Sequence, residues 1–193
     1  MQITSITKLK ADKYEIFVDG ELYAVLDGVV LLSNRLKVGM EIEDRKLLQI
    51  KCESDQNLAF NEGIKYLSRA RKTESEVRQK LLQKGYEECA IDGAITKLIS
   101  YGYVDDEAYA RAYVSIYQST RGKNRLRYEL SLKGISRGVI ESALPEDEYQ
   151  SAYKLAEKKI SKYGDREKLI KYLISRGYEY ELSRRVVGDL EEV

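Results

Sequence analysis

The chain has 193 residues, with 33 Lys and Arg against 32 Asp and Glu, a net charge of +1 and no histidine. That balance excludes a uniformly basic nucleic-acid binder and leaves only local basic patches open. The missing histidine excludes Ser-His and Cys-His nucleophiles, histidine-ligated metals and the commonest general base, leaving carboxylate-only or lysine chemistry. One proline and no tryptophan argue against a loop-rich or disordered chain, and tyrosine is abundant, with 16 copies against two phenylalanines. No apolar run approaches the roughly 20 residues of a membrane span, and MQITSITKLK lacks the apolar core of a signal peptide. Cys52 and Cys89 show no metal-ligand spacing. A reduced, cytoplasmic setting without a disulfide is the simplest reading of them.

In chain order, YEIFVDGELYAVLD (14–27) places two short strands around Asp19-Gly20, a favoured two-residue hairpin turn. QITSITKLK (2–10) before it and KLLQIKCE (46–53) after it also read as strands. VVLLSNRL (29–36) reads as a short helix, and Lys37-Val38-Gly39 as a turn. These elements predict a small β-rich N-terminal domain over 1–54. The short polar connection at 53–56 reads as a hinge of modest freedom.

Beyond it, LLQKGY (81–86), LSLKGI (130–135) and LISRGY (173–178) end three helices in the same way. Aligned on Gly85, Gly134 and Gly177, the chain carries Thr73, Gly122 and Asp165 twelve residues earlier, all acceptable N-caps. Glu76 completes a capping box with Thr73. Val77, Leu126 and Leu169 stand eight before the glycine, and Leu81, Leu130 and Leu173 four before it. Past the glycine, Ala90, Val139 and Leu182 agree, as do Ala94, Ala143 and Val186, then Ile95, Leu144 and Val187. These offsets describe a helix, a glycine stop and a second short helix. LISYGY (98–103) and ISKYGD (160–165) end similarly but lie outside this frame. Helical stretches at 57–70, 106–119 and 148–163 precede the three pairs. The prediction is a mainly α chain: three tandem three-helix repeats of about 45 residues in an elongated, curved array behind the β-rich domain. The repeats span 55–103, 104–146 and 147–193.

Between Ser115 and Gly138 the bases are Arg121, Lys123, Arg125, Arg127, Lys133 and Arg137, against the single acid Glu129. Such a basic segment, with Tyr128 beside it, can hold phosphates or an acidic protein surface; the alternative is an ordinary solvated face. Arg69, Arg71, Lys72, Arg78 and Lys84 are diluted by Glu74 and Glu76 and read as solvated surface. Lys154, Lys158, Lys159 and Lys162, with Glu157 among them, form a mixed face. Asp105-Asp106-Glu107 could suggest a metal or acid–base cluster, but acids just before AYARAYV are better explained as a helix start. Tyr109, Tyr113 and Tyr117, four apart, could stack on bases, yet packing is the better reading. Tyr86 and Tyr178 read as packing residues behind their glycines. Phosphate-cradling and dinucleotide motifs are absent from the sequence, and no cofactor is expected.

GYVDDEAYARAYV (102–114), with YLSRARKTESEVRQKLLQKGY (66–86) and RGKNRLRYELSLKGI (121–135), resembles the RecX family of recombinase regulators over about residues 58–190. The most specific pieces are Gly102-Tyr103-Val104-Asp105-Asp106, Tyr109-Ala110 and Lys133-Gly134-Ile135; the third unit is a looser match. The resemblance implies a non-enzymatic, cytoplasmic modulator of RecA acting in recombination, DNA repair and the SOS response. It implies binding along the groove of the RecA filament, across neighbouring subunits. Inhibition of RecA ATP hydrolysis, strand exchange and co-protease activity would follow, with limited filament growth. Affinity for single- or double-stranded DNA is a further family property. Arg121, Lys123, Arg125 and Arg127 match the family's basic second-unit helix, so the binding role passes to them. Lys133 and Arg137 join them on local charge. A monomer with no membrane partner is expected. Two other classes stay open: a general single-stranded nucleic-acid-binding helical repeat, and an enzyme using acids or lysine.

Overall fold

The computed structural model describes residues 1–191, which form two compact units: residues 1–72 with 77–104, and residues 73–76 with 105 onward. In the first unit, β1 (Ile3–Lys8), β2 (Lys13–Val18) and β3 (Glu21–Asp27) form an antiparallel sheet in that order. The β2–β3 hairpin closes at Asp19 and Gly20, with φ of 50° and 89°. Positive φ at both central positions matches the right-handed twist of the flanking strands. Helix α1 (Gly28–Ser33) follows, with the Asp27 side chain accepting from the backbone N–H of Val29.

The next helix differs from the sequence reading. KLLQIKCE is not a strand; it is the first third of α2, which runs without interruption from Asp44 to Leu67. Leu48, Ile50 and Cys52 alternate as in a strand, but the buried face is Leu47, Ile50 and Ser54, at helical spacing, and Leu48 is exposed. Segment 53–56 therefore lies inside a helix and is no hinge. It is also tied down, because the buried Ser54 hydroxyl accepts from the Asp27 N–H at 2.7 Å. Leu47 and Ile50 join Ile3, Ile16, Leu26 and Val30 in one core. Farther along α2, Ala59 joins a second core with α3 (Glu74–Gln83) and α4 (Glu88–Ser100), through Val77, Leu81, Ile91, Ala94 and Leu98.

The second unit holds α5 (Asp106–Tyr117), α6 (Lys123–Leu132) and α7 (Arg137–Ala143) around Ala110, Val114, Leu126, Leu130 and Ile140. It continues with α8 (Tyr149–Tyr163), α9 (Arg166–Ser175) and α10 (Tyr180–Glu191) around Leu155, Leu169, Leu173, Tyr178, Val186 and Val187. The chain is thus mainly helical: three consecutive groups of three helices, each with its own core, behind a small sheet. The third repeat was expected to reach 193, and its last two residues lie outside those described.

The repeat frame holds where it was strongest. Val77, Leu126, Leu169, Leu81, Leu130 and Leu173 are all buried. Thr73 and Glu76 form the reciprocal capping box: the Thr73 hydroxyl accepts from the Glu76 N–H at 3.2 Å, and the Glu76 carboxylate accepts from the Thr73 N–H at 3.1 Å. Gly122 and Asp165 are N-caps. Gly85, Gly134 and Gly177 have φ of 85°, 77° and 95°, the left-handed stop. The frame loosens at α7, where Ala143 and Leu144 are only partly buried. Pro145 forces Leu144 out of the helical region (ψ 146°), so α7 ends early.

Candidate partner-binding face

The basic segment is α6 with its two flanks. Three contacts set the α6 N-terminus. The Gly122 N–H donates to the Arg176 carbonyl at 2.9 Å and the Asn124 N–H to the Gly177 carbonyl at 3.1 Å. The Lys123 N–H donates to a Glu148 carboxylate oxygen at 2.7 Å. Orphan donors of a helix start thereby find acceptors in the turn after α9 and in the residue preceding α8. The first turn of α3 is served in the same way. Asp106 accepts from the Glu74 N–H at 2.9 Å, and the Thr73 hydroxyl donates to the Lys133 carbonyl at 2.7 Å. Burial pushes the carboxyls of Asp106 and Glu148 above the usual range, opposed by the backbone hydrogen bonds each accepts.

The expected cations come together with three acids: Glu129 on the same helix, Glu141 on α7 and Glu76 on α3. Arg121 reaches Glu129 at 2.5 Å and the Tyr113 hydroxyl at 2.8 Å, and lies over the Tyr117 ring at 3.8 Å. Arg125 Nε reaches the other Glu129 oxygen at 2.9 Å. Burial pushes the Glu129 carboxyl up, but hydrogen bonds from Arg125, Tyr113 and Arg121 outweigh it and hold it below the usual range. Arg127 grips Glu141 with two nitrogens at 2.6 and 3.1 Å. Lys133 pairs with Glu76 at 3.0 Å. Burial would lower the Lys133 ammonium, but Tyr109 and Glu76 together hold it above its ordinary value. Lys123 donates through Nζ to the Glu146 carbonyl at 2.6 Å. Among the six, Arg125 and Arg137 are exposed. The charge excess read along the chain is therefore partly offset in space by Glu76 and Glu141, which fall outside the sequence window.

An open groove of about 450 Å³ on this side is lined by Asn124, Arg127, Tyr128, Ser131, Ile135 and Arg137. Tyr128 stands 63% exposed at its edge, an apolar ring beside two guanidinium groups. Such an edge can meet either phosphates or carboxylates.

Other candidates resolve into structure. Tyr109, Tyr113 and Tyr117 form a partly buried stripe, with ring centroids 6.3 and 4.6 Å apart, covered by Lys133 and Arg121. Asp105 caps α5 by accepting from the Ala108 N–H, Asp106 serves Glu74, and Glu107 pairs with Arg111. Three adjacent acids thus have three separate tasks. Among the described residues no three His, Cys, Asp or Glu are grouped to hold a metal ion, and no helix is long and apolar enough to cross a membrane. The roles of Asp106 and Glu148 escaped the sequence reading. The signal was there: an acid opens the first helix of both the second and third repeats.

Fold and face together define a tandem three-helix-repeat protein. Family models for the first, second and third three-helix domains of RecX match residues 59–98, 105–144 and 146–187. Regulatory protein RecX of Clostridium botulinum (strain Alaska E43 / Type E3) is 33% identical, covering 97% of this chain and 96% of the relative. That of Caldanaerobacter subterraneus is 34% identical over 94% and 95%. A crystal structure of regulatory protein RecX superposes with a TM-score of 0.72 at 28% identity, covering 96% of this chain and 98% of that one. RecX from Lactobacillus salivarius gives 0.66 at 27% identity over 72% of this chain and 98% of that one. The chain belongs to the RecX family.

Proposed function

We propose that this chain regulates the RecA recombinase by binding the RecA–DNA filament, without catalysing a reaction of its own. The observation that carries this reading is the in-order match of all three helical units to RecX, over nearly the full length of relatives named regulatory proteins. Arg121, Lys123, Arg125, Arg127, Lys133 and Arg137 supply the contact face, with Arg125 and Arg137 reaching the partner first because they are the most open. Phosphates or acidic side chains of the filament can then share Arg121 and Arg127 with Glu129 and Glu141. Tandem repeats suit a repeating partner, since each repeat can meet an equivalent surface. Restraining the protomer motion coupled to ATP hydrolysis would lower ATPase, strand exchange and co-protease activity together. The setting is the bacterial cytoplasm, with the chain acting as a monomer.

The test is RecA ATP hydrolysis on single-stranded DNA, with and without this protein. A dose-dependent fall in turnover is expected, weakening as salt is raised. Turnover unchanged at saturating protein would sink the reading.

A further inference from the structure

Cys52 and Cys89 take no part in the basic face. They lie 37 residues apart, Cys52 on α2 and Cys89 in the first turn of α4, yet their sulfurs are 3.6 Å apart. Both thiols are free; Cys52 is half-buried and Cys89 exposed. The approach of the two helices has a cause in composition. Ala59 of α2 and Ala94 of α4 are fully buried in one core, and a Cβ on Gly93 would fall 2.5 Å from the Gln56 side chain. Small residues thus let α4 lie close along α2. Gln56 also contacts the Cys52 sulfur through Nε2 at 3.6 Å, fixing it from its own helix.

We propose that Cys52 and Cys89 form a dithiol modification site, which a hydroperoxide converts to an intramolecular disulfide clasping α2 to α4. The sulfurs are already in van der Waals contact, and a disulfide requires them at about 2.0 Å. Rotation of the exposed Cys89 side chain is the movement that closes the difference. Cys89 meets the oxidant because it faces solvent. Its thiolate attacks one peroxide oxygen, the O–O bond breaks and the other oxygen leaves as water or alcohol; the sulfur, oxidised by two electrons, becomes a sulfenic acid. The Cys52 sulfur attacks it, the S–O bond breaks, the S–S bond forms, and water leaves with the Cys52 proton. Two thiols and one hydroperoxide give one disulfide, one water and one alcohol or second water. The order of roles agrees with the Cys52 thiol being held above its ordinary value, first by the hydrogen bond with Cys89 and then by burial. The clasp fixes the helix that serves both the sheet core and the first helical core. This inference is independent of the RecA reading.

The experiment uses the full chain, reduced, exposed to hydrogen peroxide and quenched with N-ethylmaleimide. Intact mass should fall by two hydrogens with no alkyl group added. A digest should give one peptide pair linked through Cys52 and Cys89, reversed by dithiothreitol. The oxidised chain should unfold at a higher temperature than the reduced one. In Cys52→Ser, checked for helicity by circular dichroism, Cys89 should pass to sulfinic acid faster than in the parent. Two alkyl groups after oxidation, an intermolecular dimer as the main product, or equal over-oxidation in parent and variant would each overturn the proposal.

Discussion

Gly85 and Gly177 end equivalent helices with the same left-handed turn, at φ of 85° and 95°, but their surroundings differ. A Cβ on Gly85 would meet nothing within 4 Å. One on Gly177 would lie 2.4 Å from the Arg125 Cβ and 2.5 Å from the Arg125 backbone nitrogen. Gly134 resembles Gly177, with Ser75 Cβ at 2.3 Å. Gly85 therefore only stops a helix. Gly134 and Gly177 also let the turn seat on another helix start, where the Thr73 hydroxyl and the Gly122 and Asn124 N–H groups donate to the turn's carbonyls. One sequence signal thus serves two physical ends, and only the second builds the repeat-to-repeat joint that holds α6 and its cations.

Alanine substitutions separate the two roles. Gly177→Ala should be the most damaging, because strained φ adds to a clash with backbone that cannot yield; a loss above about 3 kcal/mol is expected in urea unfolding. Gly134→Ala meets the Ser75 Cβ, which moves only with its own backbone, but lacks the direct backbone clash found at Gly177, so about 2–3 kcal/mol is expected from the same measurement. Gly85→Ala carries left-handed strain alone, about 1–2 kcal/mol. Equal losses at all three positions would break the distinction.

Asp106 probes the same joint by another route. Asp106→Ala leaves the Glu74 N–H without its acceptor and should cost about 1–2 kcal/mol, whereas Asp106→Asn keeps an acceptor oxygen and should be nearly neutral. The pH dependence has a definite sign. Burial raises the Asp106 carboxyl above its ordinary value of 3.8 in the folded chain, so the folded state binds the proton more tightly than the unfolded one. Its contribution to stability is present below the ordinary value and is lost as pH rises through the raised one. Asp106→Asn should flatten that part of a stability–pH curve measured by chemical denaturation.

Arg125→Ala with Arg137→Ala should change stability least, by up to about 1 kcal/mol, since Glu129 loses the Arg125 pair but keeps Arg121 and the Tyr113 hydroxyl, and Arg137 is exposed. Filament affinity should nonetheless fall about tenfold, equivalent to roughly 1.4 kcal/mol. Affinity and thermal unfolding measured on the same preparation separate the two effects.

Much of this architecture was legible because local chemistry and tertiary use agree. N-caps, the apolar residues four and eight before the glycine, and the glycine itself each have one low-energy role, and the Asp19-Gly20 hairpin is equally local. Segment 46–53 misled because Leu48, Ile50 and Cys52 alternate, while the buried set Leu47, Ile50 and Ser54 is defined by a sheet formed far earlier in the chain. The candidate face was half legible. Its cations were visible, but Glu76 and Glu141 reach them only through folding. The proximity of Cys52 and Cys89 likewise has no sequence signature, since it depends on how closely α4 lies along α2.

Binding of this protein to preassembled RecA filaments on single-stranded DNA, compared with the same strand naked, tests the central claim most directly. The account predicts saturable binding to the filament at concentrations where the naked strand is hardly occupied, reduced by Arg125→Ala with Arg137→Ala. Equal or tighter binding to the naked strand would contradict it and leave a general single-stranded nucleic-acid binder.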